Sequence, residues 1–394
     1  MLTSLALIFL CGLLLGSLAQ KIKLPPLIGM LLAGILLGPH ILNLLDSSLL
    51  GVSAELRKLA LIVILTRAGL SLELDDLKKI GRPAVLMSFL PACFEMLGTL
   101  LMSRLLLGLP WLECAVLAAV VASASPAVIV PRMIHLMETG YGTDKGIPQM
   151  VLAGDSVDDV FNIVVFSALM SLSTGQEVSV LRFTAVPLSI LSGAAAGIGM
   201  GFLLTFLFKK LHMRDSVKVV LLLSAAFLMA GLEDKLEGVF PYSGLLSVMA
   251  AGVVLLKTLP LPSKRISAKF SKLWVGAELL LFALVGAGVN VSYAASAGLK
   301  TLLLLAVIFL FRSAGTLLCL AKTNLNRKER LFCTFTGLPK ATVQAAIGAI
   351  PLSMGLPGGQ MILAVAVLSI LVTAPLGAFL IDSTYKKLLT KKAP

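Results

Sequence analysis

The sequence predicts an all-α polytopic membrane protein of about thirteen transmembrane helices, arranged as two inverted-topology six-helix repeats. Three observations predict it. Of 394 residues 58% are hydrophobic and only 13% are charged, with a mean hydropathy of +1.00, whereas a soluble domain carries about 25% charged residues. So few charges cannot clothe a water-facing surface, which excludes a soluble enzyme and a disordered chain. Apolar windows long enough to span a bilayer recur along the chain, and features of the first half return some 215 residues later.

The windows fall near 3–20, 24–40, 58–72, 84–108, 112–134, 147–174, 180–208, 217–233, 239–256, 273–292, 298–321, 331–352 and 359–382. No Lys or Arg precedes the small-residue run Ser17-Leu18-Ala19, so the first window reads as a retained span and not a cleaved leader.

Connections alternate in basic content. One side carries Lys21, Lys23, Lys78, Lys79, Arg82, Arg132, Lys145, Lys209, Lys210, Arg214, Lys218, Lys257, Lys264, Arg265, Lys269, Lys272, Lys322, Arg327, Lys328, Arg330, Lys386, Lys387, Lys391 and Lys392, and the other only Arg57, Lys58, Arg182, Lys235 and Lys300. The positive-inside bias then places the N-terminus outside and the C-terminus in the cytoplasm of a cell (inner) membrane. It also explains the net charge of +13 and pI near 9.6 as topology, with no nucleic acid as partner. The five cysteines all sit within apolar spans without metal spacing and read as small buried hydrophobes. His40, His135 and His212 lie near span ends as interfacial residues.

Three pairs of features define the repeat. PPLIGMLLAGILLG around Pro26 returns as PYSGLLSVMAAGVVLL from Pro241; SASPAVIVP around Pro126 returns as GLPKATVQAAIG around Pro339; and the lone buried charge Glu95 returns as Arg312. The offsets of 213 to 217 residues correspond to seven spans, and an odd number of spans inverts the second unit. Inverted repeats with interrupted helices near the midplane are the plan of many secondary transporters.

Charges inside spans are costly, so each needs a partner, a proton or a water path. Arg104, Arg67 and Glu278 lie within two turns of span ends and can snorkel. Asp158 and Asp159 stand inside span six, in AGDSVDDVFNIVVF, where adjacent helical residues point about 100° apart. One carboxylate can then face a cavity while the other meets a partner, and carboxylates held out of water exchange protons for cations. Asp155, one turn earlier, either widens the acidic site or binds backbone and water near its entrance.

The interruption of span five, near 123–131 and bounded by Pro126 and Pro131, frees backbone carbonyls, and Ser123 and Ser125 add hydroxyl oxygens. Neutral oxygens with a carboxylate suit sodium or lithium. In the partner interruption near 337–342, with Gly337 and Pro339, Lys340 either neutralises carbonyl ends or pairs with Asp158. Glu95 and Arg312, being repeat-equivalent, predict a buried ion pair near the pseudo-symmetry axis.

Together these residues resemble the cation:proton antiporter superfamily: Asp158-Asp159 its aspartate pair, SPAVIVP its interrupted-helix motif. GLPKATVQAAIG, Arg312 and RAGLSLE from Arg67 are similar to the NHA-type sodium/proton exchanger branch. The resemblance implies two crossed interrupted helices and a core ion-transport domain (81–176 and 295–385) moving against a dimerisation domain (1–80 and 213–294). A linking helix would occupy 177–212 and a basic cytoplasmic tail 386–394. It implies that Asp159 is the principal ion and proton carboxylate, Asp158 its neighbour paired with Lys340, and Glu95 the partner of Arg312. Asp155 departs from the family's usual small or neutral residue. The implied activity is elevator-type alternating access in a homodimer, without cofactor or enzymatic chemistry, in which sodium or lithium competes with protons for Asp158 and Asp159.

A potassium/proton antiporter of the same fold is the nearest alternative, although no soluble nucleotide-binding tail follows Lys392. A sodium-coupled organic-anion symporter needs a larger polar or aromatic cavity, for which 2 Trp and 4 Tyr offer little lining.

Overall fold

The structure is a computed structural model and describes residues 1–71, 81–173, 185–211, 213–236 and 240–391. Lys78, Lys79, Arg182, His212, Lys392 and the last two residues of RAGLSLE lie outside the described residues, as does part of the 177–212 segment. Helix occupies every apolar window: α1 (Leu2–Lys21), α2 (Pro26–Leu37), the short α3 (Ser47–Gly51) leading into α4 (Ser53–Gly69), α5 (Arg82–Met87) continued by α6 (Leu90–Leu107), α7 (Trp111–Val121) continued by α8 (Pro126–Thr139), and α9 (Ile147–Ser173). The second half holds α10 (Ala185–Lys210), α11 (Asp215–Leu236), α12 (Gly244–Thr258), α13 (Pro260–Ala287), α14 (Val291–Cys319), α15 (Arg327–Thr336), α16 (Thr342–Ile347), α17 (Ile350–Ser353) and α18 (Gly359–Leu388). Among the described residues eight helical stretches are long and apolar enough to cross a membrane, and three shorter apolar ones accompany them. No strand occurs among them; one isolated bridge joins Tyr141 to Lys391.

Local chemistry sets the ends. Pro26 opens α2 and Pro126 opens α8, where a missing N–H costs nothing. Gly108 and Gly140 close α6 and α8 at φ 70° and 80°, a region that side-chain-bearing residues avoid. Asn326 and Glu329 form a reciprocal capping box at the start of α15. α13 begins thirteen residues before its apolar window, because Lys264, Arg265, Lys269 and Lys272 carry the helix into polar surroundings that a hydropathy window does not register.

The described residues fall into two compact units, one within 1–54, 73–163 and 282–394, the other within 55–72 and 164–281. In the second unit α10 lays Gly193, Gly197 and Gly201 along α12, and Ser247 donates to the Gly193 carbonyl at 2.7 Å. Small residues let membrane helices approach this closely.

In the first unit α6 and α14 pack through reciprocal contacts. A Cβ on Gly98 would meet the Phe311 ring at 2.6 Å, and one on Gly315 would meet Phe94 Cβ at 3.1 Å and Pro91 Cα at 2.9 Å. Glycine 98 and Gly315, Phe94 and Phe311, and Glu95 and Arg312 each stand 217 residues apart, so each contact is the pseudo-symmetry mate of another. The motif prolines, 213 apart, break this register. Pro126 opens a helix, while Pro339 lies in the extended stretch before α16 and rests on Gly377 of α18.

Gly98→Ala and Gly315→Ala are each expected to cost about 1–3 kcal/mol, as overpacking does, read as a lower melting temperature in detergent. Gly276→Ala, where an added Cβ meets nothing within 4 Å, is the control for the helix-propensity gain that all three substitutions share.

Candidate functional site

Two interrupted helices meet in the first unit. α7 ends at Val121 and α8 begins at Pro126; α15 ends at Thr336 and α16 begins at Thr342. The extended stretches between them touch: the Ser125 N–H donates to the Pro339 carbonyl at 2.8 Å, and the Thr342 N–H to Ser125 Oγ at 3.4 Å. Ser125 and Thr342 are again 217 residues apart. Within α8, Pro131 leaves the Ala127 carbonyl without its ladder donor, and the Arg132 guanidinium donates to the next carbonyl, that of Val128, at 2.8 Å.

α9 passes this crossing and presents its acids there. Asp158 is fully buried; its Oδ2 accepts from Arg312 at 2.8 Å and from the Ala124 N–H at 3.1 Å. Asp159 accepts from the Ser123 hydroxyl. Glu95 Oε2 accepts from Lys340 Nζ at 2.7 Å and from Arg312 at 2.9 Å. The expected Glu95–Arg312 contact is therefore present, but Asp158 pairs with Arg312 and not with Lys340. The planar guanidinium of Arg312 reaches both carboxylates at once, while the Lys340 ammonium is held by Glu95. Gly337 permits this placement, since a Cβ there would lie 2.7 Å from Arg312 Nε.

Four acids, Glu95, Asp155, Asp158 and Asp159, thus share two bases. Among the described residues neither Asp155 nor Asp159 forms a salt bridge, and Asp155 Oδ2 is buried without a hydrogen-bond partner. Asp155, Asp158 and Asp159 follow one another along α9 while Glu95 stands on α6, and no group of three His, Cys, Asp or Glu placed to hold a metal ion occurs among the described residues. On the Lys340 side a cavity of about 10 Å³, lined by Glu95, Phe309, Gly337 and Thr373, has room for roughly one water.

The carbonyls expected to be free at the span-five interruption are engaged. Gln344 Nε2 lies 3.0 Å from the Ser123 carbonyl, 3.2 Å from that of Val120 and 3.4 Å from that of Val121, and Arg312 donates to the Ala122 carbonyl. Buried carbonyls at a helix end require donors, and side chains supply them here before any ion does. Gln344, fully buried in α16, was not among the residues singled out from the sequence; its signal is an amide in an otherwise apolar half-helix. Gln344→Met should cost about 1–3 kcal/mol by stranding these carbonyls, measured as a fall in melting temperature.

A second residue missed in the sequence is Asn162, also fully buried, whose Nδ2 donates to the Asp158 carbonyl at 2.7 Å. Its spacing of three and four residues from the aspartate pair is the signal that places it on their face.

The chain matches the family model described as sodium/hydrogen exchanger, transmembrane, over residues 5–386. It is 34% identical over 402 residues to sodium/hydrogen exchanger 9B2 of Mus musculus, covering 98% of this chain and 73% of that protein. It is 29% identical over 409 residues to human sodium/hydrogen exchanger 9B1, covering 98% and 78%. Among solved structures it is similar to the sodium proton antiporter MjNhaP1 from Methanocaldococcus jannaschii at pH 8, with a TM-score of 0.84 over 98% of both chains. At 21% identity that likeness speaks for the fold alone.

Proposed function

The chain belongs to the transmembrane sodium/hydrogen exchanger family, a family of transporters, and from that premise we propose that it exchanges sodium or lithium for protons at Asp158 and Asp159. The observation that carries the reading is an asymmetry among the acids at the crossing. Arg312 and Lys340 neutralise Glu95 and Asp158, whereas no base reaches Asp155 or Asp159; of these two, Asp159 stands beside the crossing, is partly exposed and holds only the Ser123 hydroxyl. A carboxylate largely withdrawn from water and without a basic partner favours a proton or a cation, and two cargoes competing for one group couple their fluxes. If the site moves across the bilayer only when neutralised, either cargo can be carried and the empty site stays where it is.

Lys340 is engaged by Glu95. An arriving cation then displaces the carboxylate's own proton and not the lysine, so exchange is one-for-one and indifferent to membrane potential. In this reading 81–176 with 295–385 carries the site and moves against 1–80 with 213–294 in a homodimer. The N-terminus is outside and the C-terminus in the cytoplasm.

In proteoliposomes, sodium or lithium chloride should collapse an imposed pH gradient at a rate unchanged by a clamped potential, with potassium and rubidium weaker. Equal responses to all four chlorides would overturn the selectivity, and a rate that follows the potential would overturn the one-for-one stoichiometry.

A further inference from the structure

The side chains of Gln344 and Arg312 engage the Val120, Val121, Ala122 and Ser123 carbonyls, so an ion at this crossing competes with these donors for those oxygens. Side-chain oxygens without a hydrogen-bond partner face no such competition, and α9 offers them in a row. Asp158 Oδ1 and Asn162 Oδ1 are both buried and have no hydrogen-bond partner among the described residues, and both residues have no solvent exposure. Asn162 lies three residues after Asp159 and four after Asp158, so all three occupy one face of the helix within about 6 Å of rise.

The orientation of the Asn162 amide follows from its partner. The Asp158 carbonyl only accepts, so the group donating to it at 2.7 Å is the NH₂, and the oxygen is the end left over. An acceptor with no donor near it, on the face that carries two carboxylates, suits a hard alkali cation and repels no part of it.

We propose that Asn162 Oδ1 is a ligand of the transported cation, completing an all-side-chain oxygen site with Asp159 and the free Oδ1 of Asp158. The proposal rests on the Asp158–Asp159 exchange reading and adds a ligand that takes the metal ion but no proton. Asn162 therefore sets how well sodium or lithium competes with protons. The amide's NH₂ meanwhile holds it against its own helix, so its oxygen needs no rearrangement to meet an ion.

Two substitutions separate a ligand from a merely structural amide. Asn162→Leu removes both oxygen and donor; Asn162→Asp keeps the oxygen and removes the donor. In proteoliposomes Asn162→Leu is expected to raise the half-saturating sodium concentration about tenfold or more, with the maximal rate at saturating sodium largely retained. Asn162→Asp should hold sodium affinity at or above that of the unaltered protein. Ion-free melting temperatures report the helix contribution separately, and both variants lose the same back-bond.

If both variants lose sodium affinity alike, or neither does, Asn162 is no ligand. Asp159→Asn run alongside tests the parent reading: should it keep its sodium response, the aspartate assignment fails whatever Asn162 does. Should Asp159→Asn lose the response while Asn162→Leu keeps the original affinity, only the Asn162 inference falls.

Discussion

Asp159→Asn is expected to reduce sodium-driven proton movement in proteoliposomes at least about a hundredfold, to the background of empty liposomes, because it removes the charge for which cation and proton compete. The substitution is close to isosteric. Its amide oxygen still accepts from the Ser123 hydroxyl, and no salt bridge is lost, since none is formed by Asp159 among the described residues. The fold should therefore survive, and the ion-free melting temperature should stay within about 2 °C of the unaltered protein. What disappears is stabilisation by ion. A ligand at a hundred times its dissociation constant stabilises a folded protein by about 2.7 kcal/mol, so lithium and sodium titrations that raise the melting temperature of the unaltered protein should leave this variant flat. A variant that still collapses an imposed pH gradient on sodium addition would move the exchange site away from Asp159.

Arg312→Met should be the most destabilising of the site substitutions, lowering stability by about 3–5 kcal/mol, the range for breaking a buried pair by deleting one partner. The guanidinium serves three acceptors at once, Glu95 at 2.9 Å, Asp158 at 2.8 Å and the Ala122 carbonyl. Removal leaves Asp158 without a base and gives Glu95 only Lys340. Arg312→Lys should recover little, since an ammonium is a point charge and cannot span two carboxylates set on different helices. Removing the acid as well is the informative step: Glu95→Gln in the Arg312→Met background should be less damaging than the two single losses summed, by about 1 kcal/mol or more, because contacting residues are not additive. Melting temperatures of the four proteins, read in one detergent, complete the cycle. Strict additivity would mean that Arg312 and Glu95 do not depend on one another despite their geometry.

The helices were legible because a bilayer imposes one requirement, sustained apolarity, that acts on consecutive residues. Their polar ends, such as the Lys264–Lys272 stretch of α13, were not, since a helix continues into polar surroundings without any change of periodicity. The repeat was legible from Glu95 and Arg312, at the offset of 217 that also relates Gly98 to Gly315, Phe94 to Phe311 and Ser125 to Thr342. The prolines misled by four residues, because a proline marks the opening of a helix in α8 and an extended stretch before α16.

By itself the sequence singled out the charged groups deep inside apolar spans: four acids and two bases that hydrophobic surroundings tolerate only in company. It also determined that two helices break beside them. The tertiary structure decided who keeps company with whom. Arg312 reaches Asp158 across 154 residues of chain and Lys340 reaches Glu95 across 245, and Gln344 takes carbonyls more than 220 residues away. Hydrogen bonds and ion pairs fall off over a few ångströms, so these choices rest on how separate helices are packed. No spacing along the chain encodes which donor arrives first at a given oxygen, and that order leaves Asp155 Oδ2, Asp158 Oδ1, Asn162 Oδ1 and Gln344 Oε1 without a hydrogen-bond partner among the described residues, beside an Asp159 that no base neutralises.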